Sequence, residues 1–207
     1  MNNGISARIV EKTIQQNGIK IVYPQVTGLP DQEVQEQINR AIEQTVYTLM
    51  AEQRVWPDSA GLKIEEMIGT YEIEVNKNGI LSIRFENYMY PEHAAHGTTM
   101  VKSITVDLNT GKVYTLRDLF RPGTDYIIVL NKLISQQFKE QDIPMINEFN
   151  GITIQQEFYL TPTDLVIYFQ AYEYTPGSVG IPEFKIPYRT IINYINQEGP
   201  GAWLLTY

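Results

Sequence analysis

The sequence predicts an α+β fold: an antiparallel sheet built from hairpins, with two longer helices and a short C-terminal helix, in two closely packed halves. Three observations predict this class. Segments that alternate apolar and polar side chains come in sequence-adjacent pairs, turn signals separate the members of each pair, and only a few segments change to helical spacing. The regular strand–helix alternation that is typical of a doubly wound fold does not occur.

The predicted strands are marked by their turns. Residues 6–26 form a hairpin because Asn17-Gly18, two residue types that tolerate a positive φ, separates two extended runs. A second hairpin is predicted around Asn78-Gly79. Two later strands are predicted at residues 155–160 and 165–174. Strands that neighbour each other in sequence pair antiparallel, which favours this kind of sheet.

The helices are marked by apolar residues three and four positions apart. This spacing predicts a helix over residues 31–53. A second helix is predicted to start after Thr124 or Asp125, either of which can cap it. Pro187 is predicted to open a short final helix, and Gly199 to end it in a left-handed conformation.

A chain of 207 residues is long enough for one domain or two small ones. The best boundary is the linker Arg121-Pro122-Gly123, which divides the chain into residues 1–120 and residues 121–207. Because the linker is short, we expect the two halves to pack against each other.

Composition excludes several classes of function. The net charge of −8 argues against nucleic acid or an anionic membrane as partner and favours a basic partner. The absence of cysteine excludes disulfides, thiol nucleophiles and cysteine-ligated metals. No apolar run approaches the roughly 20 residues of a membrane helix, so we expect no membrane span in this chain. The opening residues Met1-Asn2-Asn3-Gly4 do not resemble a signal peptide, so we expect either an internal protein or a form without its export segment.

Catalytic motifs are weak. His93 and His96 are the two histidines, and their spacing can place both imidazoles on one metal only if the segment is helical. The simpler interpretation is a turn between Pro91 and Gly97 whose histidines bond to the backbone. We therefore expect no metal, no cofactor and no catalytic residue.

The acidic residues of the second hairpin are the other candidates for chemistry. Glu72 and Glu74 are predicted to share the solvent face of one strand, with Glu86 across the hairpin. Acid–base catalysis would require one of these carboxyls in an apolar pocket with a raised pKa. The alternation of side chains instead predicts that they are exposed.

Tyrosine is the more informative residue type. Five of the 14 tyrosines lie in two clusters, at residues 88–91 and 168–176, and a tyrosine side chain offers a rigid apolar body with a polar tip. In the second cluster, Tyr168, Tyr172 and Tyr174 are predicted to project from one face of a strand. Strand propensity and core packing are the alternative explanations for both clusters.

Several motifs then carry a resemblance, which spans nearly the whole chain. They are Gly28-Leu29-Pro30, Ala94-Ala95-His96-Gly97, Leu108-Asn109-Thr110-Gly111-Lys112, Leu116-Arg117-Asp118-Leu119-Phe120, Tyr172-Glu173-Tyr174 and Gly180-Ile181-Pro182-Glu183-Phe184. In this order they resemble the paired extracytoplasmic domains of the lysozyme-sensing anti-sigma-V factor. Similar domains accompany the catalytic module of peptidoglycan N-acetylglucosamine deacetylases. The resemblance implies an α+β fold in an exported protein.

We therefore expect a non-catalytic extracytoplasmic domain that binds or senses a component of the cell envelope. The partner would be a basic protein such as lysozyme or a cell-wall glycan. The recognition surface is predicted at residues 88–98 and 172–184, with these binding candidates: Tyr88, Tyr90, His93, His96, Tyr172, Tyr174 and Glu183. The alternative is a peptidoglycan hydrolase or deacetylase that uses His96 and nearby carboxylates.

Overall fold

The computed structural model describes residues 4–205, so the expectation about a leader at Met1–Asn3 lies outside the described residues. The elements follow the chain in this order: β1 (Arg8–Gln16), β2 (Ile19–Thr27), α1 (Gln32–Ser59), β3 (Ile64–Lys77), β4 (Ile80–Pro91), β5 (Thr98–Asp107), α2 (Tyr126–Glu140), β6 (Phe158–Leu160), β7 (Asp164–Tyr168), β8 (Glu183–Pro187), α3 (Tyr188–Ile191) and α4 (Pro200–Leu205). The predicted α+β class, with its two longer helices, is confirmed. No described helix combines the length and apolarity that crossing a membrane requires.

The larger sheet has the strand order β1-β2-β3-β4-β5. Its two predicted hairpins are confirmed: β1 pairs with β2 across Asn17-Gly18, and β3 pairs with β4 across Asn78-Gly79. Both residues of the second turn have positive φ, 53° and 73°, as a tight hairpin turn requires. One pair differs from the prediction, because β2 and β3 are parallel. Parallel strands need a long crossover, and α1 supplies it.

The first helix is longer than predicted, because it continues past Gln53 to Ser59. The apolar spacing stops at Met50, but the buried face continues through Gln53 and Pro57. Gln53 can lie on this face because its Nε2 donates to the carbonyl oxygens of Asn87 and Thr98, at 3.0 and 2.9 Å. A polar side chain whose N–H donors are bonded can thus replace an apolar one in the core.

The second sheet has the order β6-β7-β8, and α2 packs on it. The strand predicted at 155–160 begins only at Phe158, and the strand predicted at 165–174 ends at Tyr168. β8 was not predicted. The chain leaves β7 in a turn, with Tyr172 at φ 69°. The prediction that Tyr168, Tyr172 and Tyr174 share one strand face is therefore wrong.

The C-terminal helix is two short helices rather than one. α3 ends at Ile191, and α4 begins at Pro200, a residue that suits the first helical turn. Gly199 does not have a positive φ. The predicted left-handed cap at Gly199 is therefore wrong.

Two apolar cores lie side by side. The first fills the space between α1 and the larger sheet. The second lies between α2 and the smaller sheet, and it also contains Val75 and Ile80 from the β3–β4 hairpin. A small cluster of Val101, Tyr159 and Val166, with Tyr168, joins the two sheets. The halves are therefore closely packed, while the boundary after residue 120 stays a prediction.

The predicted exposure of Glu74 is wrong. The β3–β4 register shifts between Ile73 and Val75, which places Glu74 in a bulge and breaks the alternation of side chains. Glu72 is exposed, whereas Glu74 is half-buried. Burial, with the nearby Glu72 carboxylate, raises the pKa of Glu74.

Candidate functional site

The two segments predicted for recognition come together in one groove. A cavity of about 710 Å³ is lined by residues of 88–98, by residues of 172–184 and by the last two turns of α1. Two lining residues, Gln53 and Met89, are 4% and 1% exposed, and two others, Trp56 and Tyr172, are 54% and 51% exposed. The groove thus combines a packed base with exposed aromatic rings, a composition typical of binding sites.

The loop at residues 88–98 holds two of the predicted tyrosines. The Tyr88 ring lies directly on Gly97, so that a Cβ at Gly97 would overlap it. Tyr90 donates a hydrogen bond of 2.9 Å from its hydroxyl to the carbonyl oxygen of Ala94, which closes the loop. Tyr88 thus packs on Gly97, which lines the groove, and Tyr90 supports the loop from within, but neither tyrosine is among the lining residues.

The two histidines of this loop are both exposed. His93 takes a left-handed conformation, with φ 62°. The Nδ1 atom of His96 lies 3.0 Å from the carbonyl oxygen of Gly97, and His96 lines the groove. Among the described residues, no three histidine, aspartate or glutamate side chains are grouped to hold a metal ion.

Tyr172 lies on the other side of the groove. Its ring rests on Gly177, where a Cβ would overlap it. Its backbone N–H donates to the carbonyl oxygen of Thr175 at 3.0 Å, which stabilises the turn that carries the ring. A non-glycine residue with positive φ costs free energy that the surrounding structure must offset. The turn therefore holds the Tyr172 ring at the solvent-exposed rim.

Tyr174 and Glu183 do not line the groove. The Tyr174 ring packs edge-on against Phe169 and Phe149, with centroids 4.9 and 5.4 Å apart, and so belongs to the second core. Glu183 binds the Nε of Arg84 at 3.0 Å and accepts from the Tyr159 hydroxyl at 3.0 Å. Burial, with the nearby Glu183, raises the pKa of the Tyr159 hydroxyl. The Arg84 contact joins the two sheets and the Tyr159 contact lies within the smaller sheet, so both Tyr174 and Glu183 have a clear structural use.

The sequence prediction missed the wall that α1 contributes. Glu52, Val55 and Trp56 all line the groove, and the side chain of Val55 is 68% exposed. A signal was present, because Val55-Trp56 is an apolar pair beyond the buried stripe of the predicted helix. Exposed large apolar residues that cluster at one surface indicate an interaction site.

A second pocket, of about 400 Å³, adjoins the groove and shares Glu52, Met100 and Gln170 with it. Its centre is Lys102, whose Nζ lies 3.1 Å from Glu52 and 2.8 Å from Glu157. Although burial opposes the charge, the bonds to Glu157 and Glu52 raise the pKa of Lys102. The side chain of Lys102 is only 15% exposed. Its ammonium group is therefore already used in ion pairs within the fold.

The fold and the groove define the class of protein. It is an acidic α+β chain with two sheets that pack together and an exposed aromatic groove beside the end of α1. Comparison with known families then agrees with the motifs. Residues 10–99 match the family model described as Deacetylase PdaC. Residues 117–189 match the model of DUF3298, described as a protein of unknown function. The two matches follow each other in the order that the motifs predicted, which confirms the predicted resemblance to this pair of domains.

One relative and two crystal structures are also similar to this chain. The chain is 28% identical over 201 residues to the anti-sigma-V factor RsiV of Bacillus subtilis (strain 168), covering 90% of this chain and 68% of that protein. A DUF3298 family member from Bacteroides fragilis has a similar fold, with a TM-score of 0.66 and 16% identity over 100% of both chains. A DUF3298 family protein from Pseudomonas aeruginosa PAO1 has a TM-score of 0.61 and 18% identity over 94% of both chains. These two structures establish the fold alone.

Proposed function

We propose that this chain is a non-catalytic, extracytoplasmic sensing domain that binds a basic protein such as lysozyme. The observation that carries the proposal is the groove, in which both segments predicted for recognition meet the end of α1. The rings of Trp56 and Tyr172 are exposed there. Tryptophan and tyrosine are enriched among the residues that dominate binding energy in protein interfaces. Neither ring is needed to fill a core, since each is about half exposed.

Charge supports a basic partner. The chain carries a net charge of −8, and the charged residue that lines the groove is Glu52. Complementary charge raises the rate at which two proteins meet and disfavours acidic competitors. A strongly basic protein is therefore the partner that this surface favours.

Sequence similarity supports the sensing role and the extracytoplasmic location. The relative that aligns with 90% of the chain is an anti-sigma factor, and the motif resemblance links that family to lysozyme sensing outside the cytoplasm. In this proposal the domain is the part of such a sensor that contacts the signal.

The proposal is tested by titrating hen lysozyme into the purified domain in a calorimeter at low ionic strength. We expect saturable binding that weakens by roughly tenfold or more when salt shortens the Debye length to about 8 Å. An acidic protein of similar size should give no heat. Absence of lysozyme binding at low salt would refute the proposal.

A glycine pair tests whether the groove is the contact. Gly177→Ala displaces the Tyr172 ring, because the added Cβ overlaps it, and should weaken lysozyme binding by roughly tenfold. Gly201→Ala is the matched control, since its Cβ would meet only the Ile195 side chain at 3.4 Å, an ordinary contact. Equal affinity of the two variants would place the contact elsewhere.

A further inference from the structure

The groove has a composition that selects among ligands. Its lining residues include no lysine and no arginine, whereas they include the Glu52 carboxylate, whose side chain is 45% exposed. The adjoining pocket adds two more carboxylates, those of Glu157 and Glu173, against the one ammonium of Lys102. Negative charge is therefore in excess along the whole cleft.

The aromatic rims add a second preference. Trp56 and Tyr172 each expose about half of their surface, and both line the groove next to Glu52. The face of an aromatic ring attracts a cation, most strongly for tryptophan, and a guanidinium also stacks on it through its flat surface. Carboxylate and ring faces together favour a flat cation with an apolar stem.

The base of the groove is closed by a buried polar side chain. Gln53 is 4% exposed and lines the groove, and its Oε1 accepts no hydrogen bond from the described residues. Its Nε2 is committed to Asn87 and Thr98, so the amide cannot be reversed without losing both bonds. A buried acceptor without a donor is costly. The fold itself bears this cost, because the Oε1 atom is shielded from solvent and from any group that enters the groove.

We propose that the groove takes an arginine side chain of the basic partner, with its guanidinium between the aromatic rims and the Glu52 carboxylate. This inference rests on the proposed function, because it names the part of the partner that enters. Arginine is among the residue types that dominate binding energy in interfaces.

The test uses Trp56 as a reporter. The chain has two tryptophans, so a Trp203→Phe background leaves Trp56 as the single emitter. We expect N-acetylarginine amide to change its fluorescence saturably at millimolar concentration and to bind roughly tenfold or more tightly than the uncharged N-acetylcitrulline amide. Equal binding of the two amides, or saturation by chitotriose instead, would overturn the inference, the latter in favour of a glycan site.

Matched variants on the same helix separate this inference from the proposed function. Glu52→Gln and Trp56→Ala should each weaken the arginine probe and lysozyme by at least roughly threefold. Glu36→Gln and Tyr47→Ala are the controls, since Glu36 and Tyr47 are exposed on α1 and do not line the groove. Lysozyme binding that is unchanged by Glu52→Gln and Trp56→Ala would refute the arginine site and leave the proposed function standing. Arginine binding without lysozyme binding would refute the proposed function and leave the arginine site standing.

Discussion

Most of the buried tyrosines of this chain act as polar anchors within the core. The Tyr168 hydroxyl donates to Glu157 at 2.6 Å, the Tyr188 hydroxyl to the carbonyl oxygen of Thr161 at 2.8 Å, and the Tyr114 hydroxyl to Asp107 at 2.9 Å. Burial raises the pKa of all three hydroxyls. The tyrosines thus include buried rings that pack in the core and exposed rings such as Tyr172, which we propose for recognition.

Glu74 provides a test of electrostatics at a single residue. Burial, with the nearby Glu72, raises its pKa above the usual 4.5 in the folded state, so the folded state holds the proton more tightly than the unfolded state. The charged carboxylate then opposes folding at pH 7, and this effect disappears as the pH falls below 4.5. We expect Glu74→Gln to raise Tm at pH 7 by on the order of 1 °C, a small effect because solvent screens the group.

Thermal unfolding of Glu74→Gln at pH 7 and at pH 3 checks this sign. The control is Glu66→Gln, which removes an exposed carboxylate from the same strand and should leave Tm unchanged. A lower Tm for Glu74→Gln at pH 7 would show that attraction to Arg84 outweighs burial.

At the scale of elements, α1 has two functions. Its N-terminal turns cover the larger sheet through the buried residues Ile38, Ile42 and Val46, whereas its last turns form a wall of the groove. The helix therefore links the stability of the first core to the shape of the proposed binding surface.

The start of α1 is stabilised by a side-chain cap. The carboxylate of Asp31 accepts from the N–H groups of Glu33 and Val34, at 2.9 and 3.1 Å. Asp31→Ala should lower the free energy of unfolding by about 1 kcal/mol, or about 2–4 °C in Tm for a chain of this size. Asp125 precedes α2 but makes no capping hydrogen bond, so Asp125→Ala should cost less. Equal losses in a thermal melt would contradict this difference.

At the scale of the whole molecule, polar side chains join the two sheets. The Gln170 amide both accepts from the N–H of Val101 and donates to its carbonyl oxygen, at 3.1 and 2.7 Å. The Ser82 hydroxyl accepts from the N–H of Leu160 at 3.0 Å. With Val75 and Ile80 in the second core, these contacts favour unfolding of both halves together.

Replacement of Gln170 tests this connection between the two halves. Gln170→Leu leaves both backbone groups of Val101 without their partner and should lower the free energy of unfolding by about 2 kcal/mol. Urea unfolding followed by near- and far-UV circular dichroism should still give coincident transitions. Gln136→Leu, on the exposed face of α2, should change stability little. Two separate transitions in the native chain would favour independent halves.

Most local patterns predicted the local features correctly, and the left-handed cap at Gly199 is the exception. The Asn-Gly turns and the start of α1 depend on residues a few positions apart, and each lies where its motif indicates. The bulge at Glu74 and the early end of β7 were not predicted, because each depends on a partner distant in sequence. Gln170, for example, lies beyond the end of β7, and its side chain hydrogen-bonds the backbone of Val101, 69 positions away.

The sequence alone determined the fold class, the acidic charge, the exclusion of cysteine chemistry and the two segments that meet at the groove. Only the tertiary structure decided that the end of α1 completes this groove, that Tyr174 and Glu183 serve packing, and that β2 and β3 run parallel. The physical reason is range: turn and cap preferences act within a few residues, whereas burial and the shape of a cleft depend on which distant elements pack together.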